Sequence, residues 1–156
     1  MKSVYKVLAY LVAIEVVVQA MAMVFAVAGL GKWVDDGGVL DKAAMENDSL
    51  SFTGSVGFAI HGVNGMLIIP LLALLLLIAS FFAKIPGGVK WAALVLLLVV
   101  LQATLGLVGH AVPAVGALHG LNALLLFSTA IYTARRSTPA AVGPAIEPDE
   151  RLAAPA

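Results

Sequence analysis

The chain has 156 residues, of which 62% are apolar and only 12% charged; nine Lys and Arg balance nine Asp and Glu, and the mean hydropathy is +1.04. A soluble domain is about 45–50% apolar and about 25% charged, so this composition belongs to the membrane class, and the zero net charge gives no footing to nucleic acid. With no cysteine, disulfides, iron–sulfur clusters, thioether-linked haem and thiolate zinc sites are excluded.

Four apolar runs, at about 4–30, 54–83, 91–110 and 116–134, are long enough for a hydrocarbon core that takes about 20 helical residues to cross. Because lipid offers no hydrogen bonds, the backbone must satisfy itself, and the expected fold is all-α: an integral membrane four-helix bundle over residues 1–134. Lys2 and Lys6 ahead of an apolar run that ends in Ala20-Met21-Ala22 have the outline of a signal peptide. Glu15 and Gln19 interrupt that outline, and cleavage would leave an odd number of spans, so the run is read as a true first helix.

The second and third spans are joined by a short turn carrying Pro86-Gly87-Gly88, and the third and fourth by a turn with Pro113. Pro70 removes one backbone bond inside the second span and predicts a kink there. Residues 31–53 form a polar, acidic loop with Asp35, Asp36, Asp41, Glu46 and Asp48. Residues 135–156 are rich in Pro and Ala without an apolar period and are expected to be a disordered tail. Lys2, Lys6, Lys84, Lys90, Arg135, Arg136 and Arg151 fall on one side of this layout, and Lys32 and Lys42 on the other. By the positive-inside rule both termini and the 84–90 turn are cytoplasmic and the 31–53 loop is external, as in a bacterial plasma membrane. Tyr5, Trp33, Phe52, Trp91 and Tyr132 stand near the span ends, where interfacial aromatics belong.

One stretch occurs twice. Ala59-Ile60-His61-Gly62-Val63-Asn64-Gly65-Met66-Leu67 returns as Ala117-Leu118-His119-Gly120-Leu121-Asn122-Ala123-Leu124-Leu125, and two of the chain's three histidines hold the same place in it. Gln19-Ala20 in the first span and Gln102-Ala103 in the third precede the two copies. The chain therefore reads as two helix-pair units in the same inside-to-outside order, parallel repeats about an axis along the membrane normal.

An imidazole inside a membrane helix is costly and faces protein, a ligand or a cavity. With helix starts near Gly54 and Gly116, His61 lies roughly 10 Å and His119 roughly 5 Å into its span, both in the outer leaflet. Two matched imidazoles suit the opposite faces of one iron, and the expected cofactor is haem b held by His61 and His119. Gly65 and Ala123, at i+4 from each histidine, would leave room for the flat ring. Equally, small residues there serve close helix packing. Asn64 and Asn122 suit interhelical hydrogen bonds, and Gln19 or Gln102 would orient an imidazole by accepting its free N–H. His110 has two readings, a partner for a haem propionate or a solvated interfacial histidine. Glu15 receives no role.

The run Leu101-Gln102-Ala103-Thr104-Leu105-Gly106, with Pro113, Leu118-His119 and Ala123-Leu124-Leu125-Leu126-Phe127, resembles the last helix pair of haem A synthase. A looser similarity is to small four-helix membrane b-type cytochromes. The synthase family joins two four-helix halves, with haem-binding histidines near the outer ends of the second and fourth helices of each; His61 and His119 match in order and orientation. The resemblance implies a haem-binding half-module. Where the family places an acid three residues before a ligand histidine, this chain has Phe58 and Gly116, and the family's outer-loop cysteine pair is missing, which argues against synthase chemistry. The expected function is one-electron transfer or haem handling in the lipid membrane, with a redox partner or quinone and with homo-oligomers open. The competing readings are a cofactor-free accessory or assembly subunit and a small transporter.

Overall fold

The computed structural model describes residues 1–46 and 51–137. Their regular structure is helical throughout: α1 (Lys2–Asp35), α2 (Lys42–Glu46), α3 (Val56–Val63), a π-helical turn (Asn64–Ile68), α4 (Ile69–Ala83), α5 (Gly88–Ala111) and α6 (Pro113–Arg135). α3, the π turn and α4 run on as one helix, Val56–Ala83, here called the second span. It and α1, α5 and α6 are four helices long and apolar enough to cross a membrane. The expected tail lies, from residue 138 onward, outside the described residues.

Several boundaries differ from the sequence expectation. α1 continues past residue 30 to Asp35, and Lys32 closes its last turn by pairing with Asp36 at 2.9 Å. Trp33 consequently stands on helix rather than loop. Gly54 does not open the second span; at φ +101 it turns the chain against α1, where a Cβ would lie 2.6 Å from the Phe25 carbonyl oxygen. At the fourth span the helix opens at Pro113, three residues before Gly116, because proline lacks only an N–H that the first turn leaves unpaired anyway. Counted from Val56 and Pro113, His61 lies about 7.5 Å and His119 about 9 Å into its helix, closer in depth than the sequence boundaries implied.

α1 packs on the second span and on α6, while α5 packs on α4 and on α6. The second span and α6 therefore occupy one diagonal of a four-helix square. The packed core lies toward one end. Tyr5, Ala9, Val12, Leu76, Val95 and Leu126 are buried there, with alanines between them that let the helices approach closely. Tyr5 donates to the Gly88 carbonyl at 3.1 Å, and Arg136 donates to the Pro86 carbonyl at 2.9 Å and to the Tyr132 hydroxyl at 2.9 Å. These bonds bring the start of α1 and the end of α6 to the 84–87 turn.

Toward the opposite end the packing thins. Among the described residues α5 buries none beyond Val99, α6 none before Asn122, and α3 only Gly57. α3 packs along α1, whereas its continuation α4 packs on both α1 and α5. The bundle is thus closed in one half and splayed in the other, and the histidines stand in the splayed half.

Candidate functional site

His61 of α3 and His119 of α6 meet across the diagonal, with ring centroids 6.1 Å apart and planes inclined by 58°. Each ring is held from the preceding long helix. His119 donates from Nδ1 to the Gln102 carbonyl of α5 at 3.0 Å, and Nδ1 of His61 lies 3.4 Å from the Gln19 carbonyl of α1. In both cases a glutamine meets the ring through its backbone carbonyl.

The Gln19 side chain does something else. With its amide nitrogen turned toward His61, the orientation that pairs donors with acceptors, it donates to the His61 carbonyl at 3.1 Å while its oxygen accepts from the Gly65 N–H at 3.1 Å. In an α-helix those two groups would bond each other. The amide is inserted into that rung, and the π turn begins one residue before Gly65, at Asn64, with the Ile69 N–H reaching back to the Asn64 carbonyl. The irregularity expected from Pro70 is therefore a π turn just ahead of the proline, bridged by a side chain from α1. The same amide nitrogen lies 2.6 Å from His61 Nδ1.

Gly65 faces this amide, since a Cβ there would meet it at 3.7–4.0 Å. Of its two expected roles, room for a flat ring and close helix packing, this contact is of the packing kind, with Gln19 of α1. Gly62 and Gly120 face open space. Ala123 is half-buried on α6. The small residue that touches an imidazole is Gly106 on α5, where a Cβ would lie 3.1 Å from His119 Cε1 and 3.2 Å from Nδ1. Sequence reasoning passed over it because nothing in spacing along one helix reveals which glycine faces a ring on another.

A second layer lies one turn below. Asn64 donates to the Glu15 carboxylate at 2.9 Å. Asn122, on the other side of the bundle, donates to the Leu98 carbonyl at 3.0 Å and to Gln102 Oε1 at 2.6 Å, and its own Oδ1 is buried without a partner. Glu15, left without a role by the sequence, is thus joined to the histidine layer through α1 and Asn64. His110 is exposed in the last turn of α5. Phe58, where the resemblance would place an acid, is exposed and meets Phe52 edge-on at 6.3 Å. Gly116, the other such position, is in backbone contact with Gly109, whose Cβ would lie 2.8 Å from the Gly116 Cα.

Residues 51–109 match DUF6220, a family of unknown function. The matched stretch includes His61, Asn64, Gln102 and Gly106 and stops short of His119. No curated protein and no solved structure matches the chain.

Among the described residues no three His, Cys, Asp or Glu side chains come together as a metal-holding group. A zinc or copper site normally recruits three or four such ligands.

Proposed function

We propose that the chain is a membrane b-type haem protein in which His61 and His119 ligate one iron from opposite faces. The observation that carries this reading is the 6.1 Å between ring centroids. That spacing would let one metal ion lie between the two rings, since two metal–imidazole bonds of about 2.0–2.1 Å and about 1.1 Å from each nitrogen to its ring centre sum to about 6.3 Å. Gly106, where a Cβ would lie 3.1 Å from His119 Cε1, brings α5 close against that ring.

When bound, such a haem supplies one-electron redox chemistry. The protein's own part is to hold His119 by Nδ1–H donation to the Gln102 carbonyl, which fixes the tautomer whose Nε2 lone pair is free, and to hold His61 against the backbone and side chain of Gln19. Burial, axial ligand identity and hydrogen bonding are the levers on potential. With His61 and His119 both holding the iron, no position would be left for oxygen, which would favour electron transfer or haem handling over oxygen activation. In this reading the helix pairs are parallel repeats, the termini and the 84–90 turn are cytoplasmic, the histidines lie in the outer leaflet, and exposed His110 would be either a propionate partner or a solvated interfacial histidine. The module is that of half a haem A synthase without the synthase's acid and cysteines.

A second reading has its own observation. The 2.6 Å approach of the Gln19 amide to His61 Nδ1 suits the tautomer with hydrogen on Nε2, as in an interhelical histidine pair of a cofactor-free accessory subunit. One measurement separates the two. Protein purified in detergent is expected to carry a stoichiometric Soret band and, once reduced, the sharp α and β bands of a low-spin six-coordinate haem. Colourless, well-folded protein would favour the histidine pair instead.

A further inference from the structure

Glu15 has no part in ligation, yet its position is unusual. It is the one Asp, Glu, Lys or Arg of the four long helices that stands away from a helix end; Lys2, Lys6, Lys32, Asp35, Lys90 and Arg135 lie within five residues of one. An ionisable group at that depth is costly and marks function by default. Here it is half-buried and accepts the Asn64 N–H at 2.9 Å.

Two rungs join α1 to the second span: Gln19 to His61, and one turn below, Glu15 to Asn64. Two rungs join α5 to α6: Gln102 to His119, and one turn below, Leu98 to Asn122. In the second pair the rung is made without an acid: Asn122 donates to the Leu98 backbone carbonyl and to Gln102 Oε1, and its own Oδ1 has no partner. Helix packing does not call for a carboxylate at this rung.

Charge counting gives it a use. An iron–porphyrin core with two neutral imidazoles carries one net positive charge when ferric and none when ferrous. In a medium of low dielectric a carboxylate one turn away compensates the ferric form strongly and is left uncompensated on reduction. We propose that Glu15 is a redox-linked proton site. The Glu15 carboxylate would bind one proton from solvent, forming its O–H bond, when a bound haem is reduced by an external one-electron donor, and would release it to solvent on reoxidation, so that the charge within the bundle is unchanged. This inference rests on the haem reading. The titratable groups on the elements packed against this part of α1 are His61 on α3 and His119 on α6, with none on the π turn or α4, and Tyr10 is nearest on α1 itself. Both histidines are neutral as ligands, which leaves Glu15 to take the proton.

The test is a spectroelectrochemical titration of the detergent-purified holoprotein across pH. The midpoint potential is expected to fall as pH rises, approaching about 59 mV per unit, the tenfold step for one electron. Glu15→Gln is expected to keep the Soret band and flatten that slope, and Glu15→Asp to restore it. The reduced-minus-oxidised infrared spectrum of the parent should gain a protonated-carboxyl band, which remains testable if the Gln variant fails to fold. A parent potential independent of pH, a parent without the carboxyl band, or a Gln variant that keeps the full slope would overturn the proposal, the last assigning the proton to a propionate or His110. Protein lacking a Soret band fails the haem reading itself, a distinct result that removes this proposal with it.

Discussion

Gln102 accepts the Nδ1–H of His119 through its backbone carbonyl at 3.0 Å, and this bond leaves Nε2 as the free nitrogen of that ring. His61 is held differently: its Nδ1 has the Gln19 carbonyl at 3.4 Å and the Gln19 amide nitrogen at 2.6 Å, and the two ask for opposite tautomers. The two rings occupy equivalent places in the repeat but are not equally prepared to bind a metal. In the haem reading, His61→Ala and His119→Ala should each give a five-coordinate, high-spin iron that binds carbon monoxide. Haem content, measured as the pyridine haemochrome, should fall further in the His119 variant, because the ring that remains there is the less firmly oriented one. Equal losses would show that the Gln19 amide does not contest Nδ1.

The glutamines should separate in stability. Gln19→Ala leaves the His61 carbonyl and the Gly65 N–H without their bridge in an apolar setting, which costs about 1–3 kcal/mol. Gln102→Ala removes one partner of Asn122, whose Nδ2 keeps the Leu98 carbonyl, and costs about 0.5–1.5 kcal/mol. Helical circular dichroism through a denaturation series in detergent reads both. The reverse order would mean that the π turn stands without its bridge.

Gly106 should be the sensitive glycine. Gly106→Val places branched carbon where a single Cβ already meets His119 at 3.1–3.2 Å, so the imidazole must move, and the low-spin bands of a bis-histidine haem should broaden or convert to high spin. Gly62→Ala and Gly120→Ala face open space and should leave the spectrum unchanged. A valine at 106 with the parent spectrum would place His119 away from α5 in the holoprotein.

Topology is checked by fusion. A reporter after Arg136 is expected to read cytoplasmic, and an insertion beside Asp41 external, from the seven-to-two division of Lys and Arg. An external C-terminal reporter would overturn the orientation and place the histidines in the inner leaflet.

Much of the architecture was legible in the chain alone, for a physical reason. In lipid each backbone must satisfy itself, so an apolar run of sufficient length is a helix whatever its neighbours do, and the four runs are four helices. The repeated His-Gly-x-Asn stretch likewise marked two rings at similar depth before any helix was packed. The helix ends were less legible, since Asp35 and Pro113 extend α1 and α6 through residues too polar or too small to read as span.

The distance between the rings, the groups that hold them, and the partners of Glu15, Gly65 and Gly106 belong to the tertiary structure. Each depends on the register between separate helices: Gln19 against His61 and Gly65, Gln102 against His119, Glu15 against Asn64. Spacing along one helix says which residues share a face, but not what the face meets. That was decided when α1 slid its glutamine into the second span and opened a π turn there. The chain by itself determined that four helices would form and carry two histidines; only their packing decided that those histidines would meet 6.1 Å apart with a carboxylate one turn below.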